Sequence, residues 1–275
     1  MMVEDMPGAA DAAAAAPATA SVQGAEGADP RLTVPTLLSV AERFVSINGE
    51  GPEAGRLAAF IRLAGCNLAC AYCDTPWSRA PESATEVLEA AELAAWAAQT
   101  GAGCVTLTGG EPLLQPALPA LVQMLLALPL RTQAGQPLRI EVETNGACDL
   151  GPLCALRTQA EGEGWGAGTL AFTVDCKLAA AGTEAAAAML THNYGLLEPQ
   201  DAVKFVCGSR ADLDQARQVI ERFGLVGRCT VLLSPVHGRL DAAAIADYLK
   251  EHRMADVRLQ LQLHKLIWPG VERGV

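Results

Sequence analysis

The sequence has few aromatic residues, few basic residues and no long apolar run. Phe, Trp and Tyr make up 4% of its 275 residues, and 20 Lys and Arg are outnumbered by 31 Asp and Glu, which gives a net charge of −11. This acidic balance argues against nonspecific nucleic-acid binding, which relies on basic surfaces. No window approaches ~18 uninterrupted apolar residues, so we expect no transmembrane helix.

Residues 1–35 contain few large apolar side chains and are rich in Ala, Pro and Gly. They lack the basic start and the continuous apolar stretch of a signal peptide. We predict a disordered, low-complexity tail, because such a segment cannot bury enough surface to offset its ordering entropy. The nine cysteines are an odd number in a chain without an export signal. They therefore indicate reduced thiols and a cytoplasmic protein.

From residue 36 onward, short apolar runs alternate with Ala- and Leu-rich stretches of helical spacing. The predicted strands are 57–64, 104–108, 138–143, 170–175, 202–207, 229–233 and 257–261, and the clearest predicted helices are 84–99, 115–127, 211–223 and 241–253. This repetition predicts an α/β fold with a parallel sheet, and the number of units suits a partial or complete (β/α) barrel. We expect one domain over 36–275, with an inserted loop at 158–169.

Polar residues gather where two of the predicted strands end. Thr108-Gly109-Gly110-Glu111 follows one strand, and Glu143-Thr144-Asn145-Gly146 follows the next. The chemistry of parallel β/α folds takes place at the carboxyl ends of the strands. We therefore expect the functional site at this edge of the sheet.

Cys66, Cys70 and Cys73 are spaced C-x3-C-x2-C in the loop that follows strand 57–64. A structural zinc site uses four N or S ligands, and a ferredoxin cluster uses four cysteines. Three thiolates can instead hold three irons of a [4Fe–4S] cube and leave the fourth iron open. Two alternatives stay open: three incidental cysteines, or zinc completed by His192, His237, His252 or His264. We predict that the other six cysteines are small buried hydrophobes: Cys104, Cys148, Cys154, Cys176, Cys207 and Cys229.

The cysteine spacing, Tyr72 just before the last cysteine and the GGEP segment at 109–112 together resemble the radical S-adenosylmethionine (SAM) superfamily. The resemblance implies a partial, TIM-like (β/α) barrel and a [4Fe–4S] cluster on the three cysteines. It also implies that SAM binds the open iron and is cleaved to a radical that abstracts hydrogen from the substrate. The implied SAM contacts are Tyr72, Cys73, Asp74, Gly110, Glu111, Asp175, Cys176 and Lys177.

The segments that flank this motif resemble one family within the superfamily, the 7-carboxy-7-deazaguanine synthases. The resemblance runs from about residue 37 to the C-terminus and rests on SINGEGP (46–52), FIR (60–62), DTPW (74–77), IEVETNG (140–146), VDCK (174–177), VKFV (203–206) and LQLQLHKLIWPGVERGV (259–275). It implies conversion of 6-carboxy-5,6,7,8-tetrahydropterin to 7-carboxy-7-deazaguanine with loss of ammonia, a step of queuosine and deazapurine biosynthesis. It further implies Mg²⁺, a flavodoxin or ferredoxin reductant and a homodimer.

The same resemblance assigns substrate and magnesium contacts to particular residues. The backbone of Ile47, Asn48 and Gly49 would bind the pterin, with Glu50 on its guanidine-like edge, Arg62 on its carboxylate and Thr108 at a strand end. Thr75 would give a hydroxyl to Mg²⁺, which prefers hard oxygen ligands. Three of these assignments have a simpler alternative: a surface ion pair for Arg62, a helix or turn cap for Glu50 and a capping hydroxyl for Thr75.

Three other functions remain as alternatives. An activase that installs a glycyl radical on a partner enzyme shares the CxxxCxxC spacing, but it acts on a protein, whereas Asn48, Glu50 and Arg62 suit a small substrate. A related enzyme could act on another pterin or purine. A non-enzymatic iron–sulfur or zinc protein would cleave no SAM, and the polar strand ends argue against it.

Replacement of Cys66, Cys70 or Cys73 with alanine should abolish the cluster and all activity, because three thiolates are the minimum set for this site. Iron content and the brown absorbance of the reconstituted protein measure the effect. Cys229→Ala serves as the control and should retain full iron. A Cys70→Ala protein with full iron content would contradict the cluster hypothesis.

Overall fold

A computed structural model of the chain describes residues 35–129, 135–165 and 169–275. Residues 34–275 form one compact unit. The predicted tail, apart from Pro35, lies outside the described residues. Within the described ranges, no helix combines the length and apolarity needed to cross a membrane.

In the described part of the chain, nine strands form one sheet in the order β3-β1-β2-β4-β5-β6-β7-β8-β9. They are β1 (Leu37–Ile47), β2 (Leu57–Leu63), β3 (Glu86–Glu89), β4 (Cys104–Gly109), β5 (Arg139–Thr144), β6 (Thr169–Cys176), β7 (Ala202–Cys207), β8 (Thr230–Pro235) and β9 (Val257–Leu259). The order runs from β3 at one edge to β9 at the other, with no pairing between these two among the described residues. The expected α/β fold, an open and therefore partial barrel, is confirmed.

Strands β2 and β4 to β9 are parallel, whereas β1 pairs antiparallel with both β2 and β3. The helices are α1 (Ala90–Gln99), α2 (Leu118–Ala127), α3 (Gly151–Glu163), α4 (Thr183–Ala187), α5 (Arg210–Phe223), α6 (Ala242–Glu251) and α7 (Leu263–Ile267). Most of them connect one parallel strand to the next, as βαβ units require. The main core lies between sheet and helices and contains Leu107, Leu121, Phe172 and Phe205.

Two sequence expectations were wrong in detail. Residues 86–89, expected to begin a helix, form β3, because they pair with residues 37–40 of β1 at the sheet edge. Residues 158–163, expected in a loop, continue α3, which ends at Gly164 in the left-handed conformation (φ 65°). Glycine adopts this conformation without strain, so the helix stops there rather than before Thr158.

Candidate active site

A cavity of about 690 Å³ opens at the carboxyl ends of the parallel strands. Its wall combines the loop from β1 to β2, the cysteine loop after β2, the ends of β4 to β8 and the segment that follows β9. Of the predicted site residues, Glu111 and Cys176 do not line it. The others do: Ile47, Asn48, Gly49, Glu50, Arg62, Cys66, Cys70, Tyr72, Cys73, Asp74, Thr75, Thr108, Gly110, Asp175 and Lys177.

The three predicted cluster ligands face this cavity as free, half-buried thiols. The Cys66 sulfur accepts hydrogen bonds from the backbone N–H of Leu68 (3.4 Å) and from Asn145 Nδ2 (3.7 Å). Burial raises the pKa of Cys66 and Cys70, and Lys177 partly opposes the rise at Cys70. Since thiolates bind metal, free thiols supplied with N–H donors fit an iron–sulfur cluster.

In the described ranges, no three His, Cys, Asp or Glu side chains converge closely enough to hold a single metal ion.

The Gly-Gly-Glu-Pro segment fixes the cysteine loop from behind. A Cβ on Gly110 would lie 2.3 Å from the Gly65 carbonyl oxygen, so only glycine fits there. The Glu111 N–H donates to the same oxygen (2.8 Å), and its carboxylate accepts from Thr144 Oγ1 (2.8 Å) and the Asn145 N–H (2.7 Å). Burial raises the pKa of Glu111 to about 7. Glu111 thus connects loops rather than lining the cavity.

The three SAM contacts predicted at the end of β6 and directly after it do not all face the cavity. Asp175 and Lys177 line the cavity and form an ion pair (2.9 Å), and Lys177 Nζ lies 5.9 Å from the centroid of the Tyr72 ring. Burial alone would lower the pKa of Lys177, but Asp175 raises it. Cys176 points to the opposite face, where it is buried and hydrogen-bonded by Tyr194. Because successive strand residues face opposite sides, Asp175 and Lys177 can reach a cofactor in the cavity and Cys176 cannot.

Lys204 is the main site residue that our sequence analysis did not assign. It lines the cavity from β7, and its Nζ contacts Glu50 Oε2 (2.6 Å) and Asp175 Oδ1 (3.2 Å). Burial alone would lower the pKa of Lys204, but Asp175, Glu50 and Glu143 raise it well above its usual range. A charged residue inside the apolar run AVKFVC was the available signal, because buried charges need partners.

The backbone groups of Asn48 are already hydrogen-bonded, which leaves its side chain as the candidate ligand contact. Its backbone N–H donates to the Arg56 carbonyl (2.7 Å), and its carbonyl accepts from the Gly55 N–H (2.8 Å). The side-chain Nδ2 donates to Glu141 Oε2 (3.1 Å). Asn48 Oδ1 is buried and has no partner in the described part of the chain. A buried acceptor without a hydrogen bond lowers the stability of the fold, and a ligand that supplies the donor removes this cost.

Arg62 and Thr75, predicted as substrate and magnesium contacts, both line the cavity. Arg62 Nε pairs with Glu42 Oε1 (2.9 Å) while its side chain lines the cavity, so the pair is largely buried rather than a surface bridge. Thr75 precedes the short 3₁₀ turn Pro76–Ser78, and its hydroxyl makes no capping hydrogen bond to that turn. The capping alternative for Thr75 is therefore wrong.

The segment after β9 closes one side of the cavity and was also missed as a source of site residues. Gln262 Nε2 donates to Asp74 Oδ2 (3.4 Å), and Lys265 Nζ lies 3.7 Å from the same oxygen. Burial opposes the effect, but Lys265 and other cations lower the pKa of Asp74. His264 packs so closely on Gly49 that a Cβ there would lie 2.5 Å from Nδ1. This tight contact explains the glycine at position 49.

Comparison with known proteins agrees with the fold and the cysteine loop. Residues 60–157 match the radical SAM superfamily. The chain is 39% identical over 236 residues to the 7-carboxy-7-deazaguanine synthase of Clostridium acetobutylicum, covering 86% of this chain and 98% of the relative. The synthase of Chlorobaculum tepidum is 32% identical over 248 residues, covering 86% and 97%. The crystal structure of QueE from Escherichia coli aligns with a TM-score of 0.57 at 21% identity, covering 83% and 95%, which supports the fold.

An open β/α barrel with three free cysteines on the loop after its first parallel strand defines a radical SAM enzyme. The match to the superfamily covers the cysteine loop and the two polar strand ends. The chain belongs to the 7-carboxy-7-deazaguanine synthase family.

Lys204→Met should lower the free energy of unfolding by about 3 kcal/mol, because it leaves the buried carboxylates of Glu50 and Asp175 without their shared cation. Urea denaturation of the protein measures the change. Lys250→Met is the matched control, since Lys250 pairs with Asp247 on the exposed surface. That control should change stability by less than about 1 kcal/mol. Equal losses in both variants would contradict the bridging role of Lys204.

Proposed function

We propose that this chain converts 6-carboxy-5,6,7,8-tetrahydropterin to 7-carboxy-7-deazaguanine with release of ammonia. The observation that carries the proposal is that one cavity is lined by the three cysteines with free thiols and by Asn48 and Glu50, whose buried Oδ1 and Oε1 have no hydrogen-bond partner among the described residues. A pterin presents adjacent N–H donors on its aminopyrimidinone edge. The cavity therefore has complementary groups for this substrate within the same space as the cluster ligands.

Residues of the cavity wall fit the cofactors that the family uses. Cys66, Cys70 and Cys73 would hold a [4Fe–4S] cluster, with SAM beside it near Tyr72 and Lys177. When bound, these cofactors supply reductive SAM cleavage and hydrogen-atom abstraction. The Tyr72 hydroxyl is buried without a partner among the described residues, which leaves it available to a ligand. The loops above the cavity would exclude water from the reactive species.

At the substrate end of the cavity, charge and hydrogen-bonding groups are already arranged. Arg62 is largely buried and retains guanidinium N–H groups beyond the Nε that contacts Glu42, so it can bind the substrate carboxylate. Thr108 and Glu143 line the cavity at the ends of β4 and β5. Burial raises the pKa of Glu143, with Lys204 opposing the rise. A carboxyl group in this state is suited to hold or move a proton as ammonia leaves.

The remaining parts of the proposal concern Mg²⁺ and partners. Thr75 lines the cavity, and its hydroxyl makes no capping hydrogen bond to the turn that follows. This hydroxyl would serve as a magnesium ligand together with the substrate carboxylate and waters. A flavodoxin or ferredoxin would supply the electron, and the chain would act as a homodimer. All nine cysteines are free, in keeping with a reducing cytoplasm.

The decisive experiment supplies the anaerobically reconstituted protein with SAM, Mg²⁺, a strong reductant and 6-carboxytetrahydropterin. Mass spectrometry should detect 7-carboxy-7-deazaguanine, because the cavity provides both cluster ligands and pterin acceptors. Formation of 5′-deoxyadenosine without the deazaguanine would overturn the substrate assignment and direct attention to another pterin, a purine or a protein substrate. A cluster-loaded protein that makes neither compound would overturn the enzymatic proposal.

Thr75→Ala should raise the Mg²⁺ concentration needed for half-maximal turnover by at least ~10-fold, since it removes an oxygen ligand of the ion. Thr75→Ser keeps the hydroxyl and should remain close to the parent enzyme. Initial rates across a Mg²⁺ titration separate the two variants. An unchanged Mg²⁺ dependence in Thr75→Ala would rule out this ligand.

A further inference from the structure

Asn48 and Glu50, which both line the cavity, each use one side-chain atom to contact a buried partner. Asn48 donates Nδ2 to Glu141 Oε2 (3.1 Å), and Glu50 accepts from Lys204 Nζ (2.6 Å) through Oε2. In each case the second oxygen, Asn48 Oδ1 or Glu50 Oε1, is buried with no hydrogen-bond partner in the ranges that the structure describes. Because both residues line the cavity, these two oxygens are the candidates for contact with a bound ligand.

Glu141 lies behind this wall and has little freedom to move. It is 1% exposed and does not line the cavity. Its Oε1 accepts from Thr173 Oγ1 (2.5 Å), and a Cβ on Gly51 would lie 2.6 Å from that oxygen. Gly51 has φ +74°, a conformation that favours glycine, so the close packing above the carboxylate is built into the loop. The position of Glu141 Oε2 beside Asn48 is therefore fixed.

The orientation of the Asn48 amide follows from the chemistry of its partner. An ionised carboxylate accepts hydrogen bonds and cannot donate them, whereas an amide has one donor end and one acceptor end. Glu141 therefore attracts the NH₂ end of Asn48 and turns Oδ1 away as the free acceptor. Without a purely accepting partner, the side chain could rotate and present its NH₂ group instead.

We propose that Glu141 is a positioning residue that sets substrate selectivity by fixing Asn48 as an acceptor. This inference rests on the proposed function and adds a requirement to it: the ligand must offer two adjacent N–H donors. A 2-amino-4-oxo pyrimidine edge meets that requirement through its ring N–H and amino group. A 2,4-dioxo edge places an oxygen opposite one of the acceptors, so a buried acceptor would remain unsatisfied.

The test compares two ligands in equilibrium binding to the cluster-loaded enzyme. One is the product, 7-carboxy-7-deazaguanine, and the other is its counterpart with a 2-oxo group in place of the 2-amino group. Calorimetry at about pH 8 keeps Glu141 ionised, because its buried carboxyl has a pKa of about 7. The parent enzyme should prefer the amino ligand by ~100-fold or more.

Glu141→Gln is the informative variant, because glutamine has nearly the same shape but can either accept from or donate to Asn48. The preference for the amino ligand should fall by at least ~10-fold, with weaker binding of the amino ligand and stronger binding of the oxo ligand. Glu53→Gln is the matched control: Glu53 lies on the same loop as Asn48, pairs with Arg56 and does not line the cavity. It should leave the preference unchanged.

The binding results distinguish a wrong role for Glu141 from a wrong function for the protein. A folded Glu141→Gln protein with the parent's preference would reduce Glu141 to a packing role and overturn the inference alone. A parent enzyme that binds neither ligand would overturn the proposed function as well. If Glu141→Gln fails to fold, Glu141→Asp takes its place. Aspartate keeps the charge but withdraws the carboxylate from Asn48, so a retained preference would again overturn the inference.

Discussion

The close approach of two backbone segments, at the ends of β2 and β4, is the constraint on which the whole site depends. Gly110 lies against Gly65 so tightly that any side chain would collide with the carbonyl oxygen, 2.3 Å from its Cβ position. Glu111 then reaches across to Asn145 on the next strand end, and Asn145 donates to the Cys66 sulfur. One backbone contact thus sets the cysteine loop relative to three strands. Contacts within the protein therefore hold the proposed cluster ligands in place.

Charge compensation organises the opposite half of the cavity. Lys204 contacts the carboxylates of Glu50 and Asp175, and Asp175 also contacts Lys177, so two cations and two anions form one chain across the floor. Each of these charges would be expensive to bury alone. Joined together, they connect the proposed substrate end at Glu50 with the proposed SAM end at Lys177. The electrostatics of the two ends are therefore coupled through a single lysine.

The parallel part of the sheet could be predicted from sequence, and its antiparallel edge could not. Strand 202–207 is apolar apart from Lys204 and is buried along its whole length, and its prediction is confirmed to the residue. Strand β1 (LLSVAERFVSI) has no clean alternation, because its register shifts between Val40 and Glu42. The short β3 carries helix-forming residues and is extended only because β1 pairs with it. Tertiary pairing overrides local propensity at such edges.

For the candidate site, too, the sequence predicts which loops meet but not which atoms are in contact. The motifs predicted which loops meet at the cavity, since parallel strands bring their carboxyl ends together. They could not show that the Asn48 backbone is already hydrogen-bonded, or that Glu141, 93 positions away, orients its side chain. Such facts arise from contacts between distant strands. They matter because a buried acceptor without a partner is costly, and a ligand that supplies the missing donor recovers that cost on binding. Under the proposed function, the oxygens of Asn48 and Glu50 that lack partners among the described residues would therefore match N–H donors on the edge of the ligand.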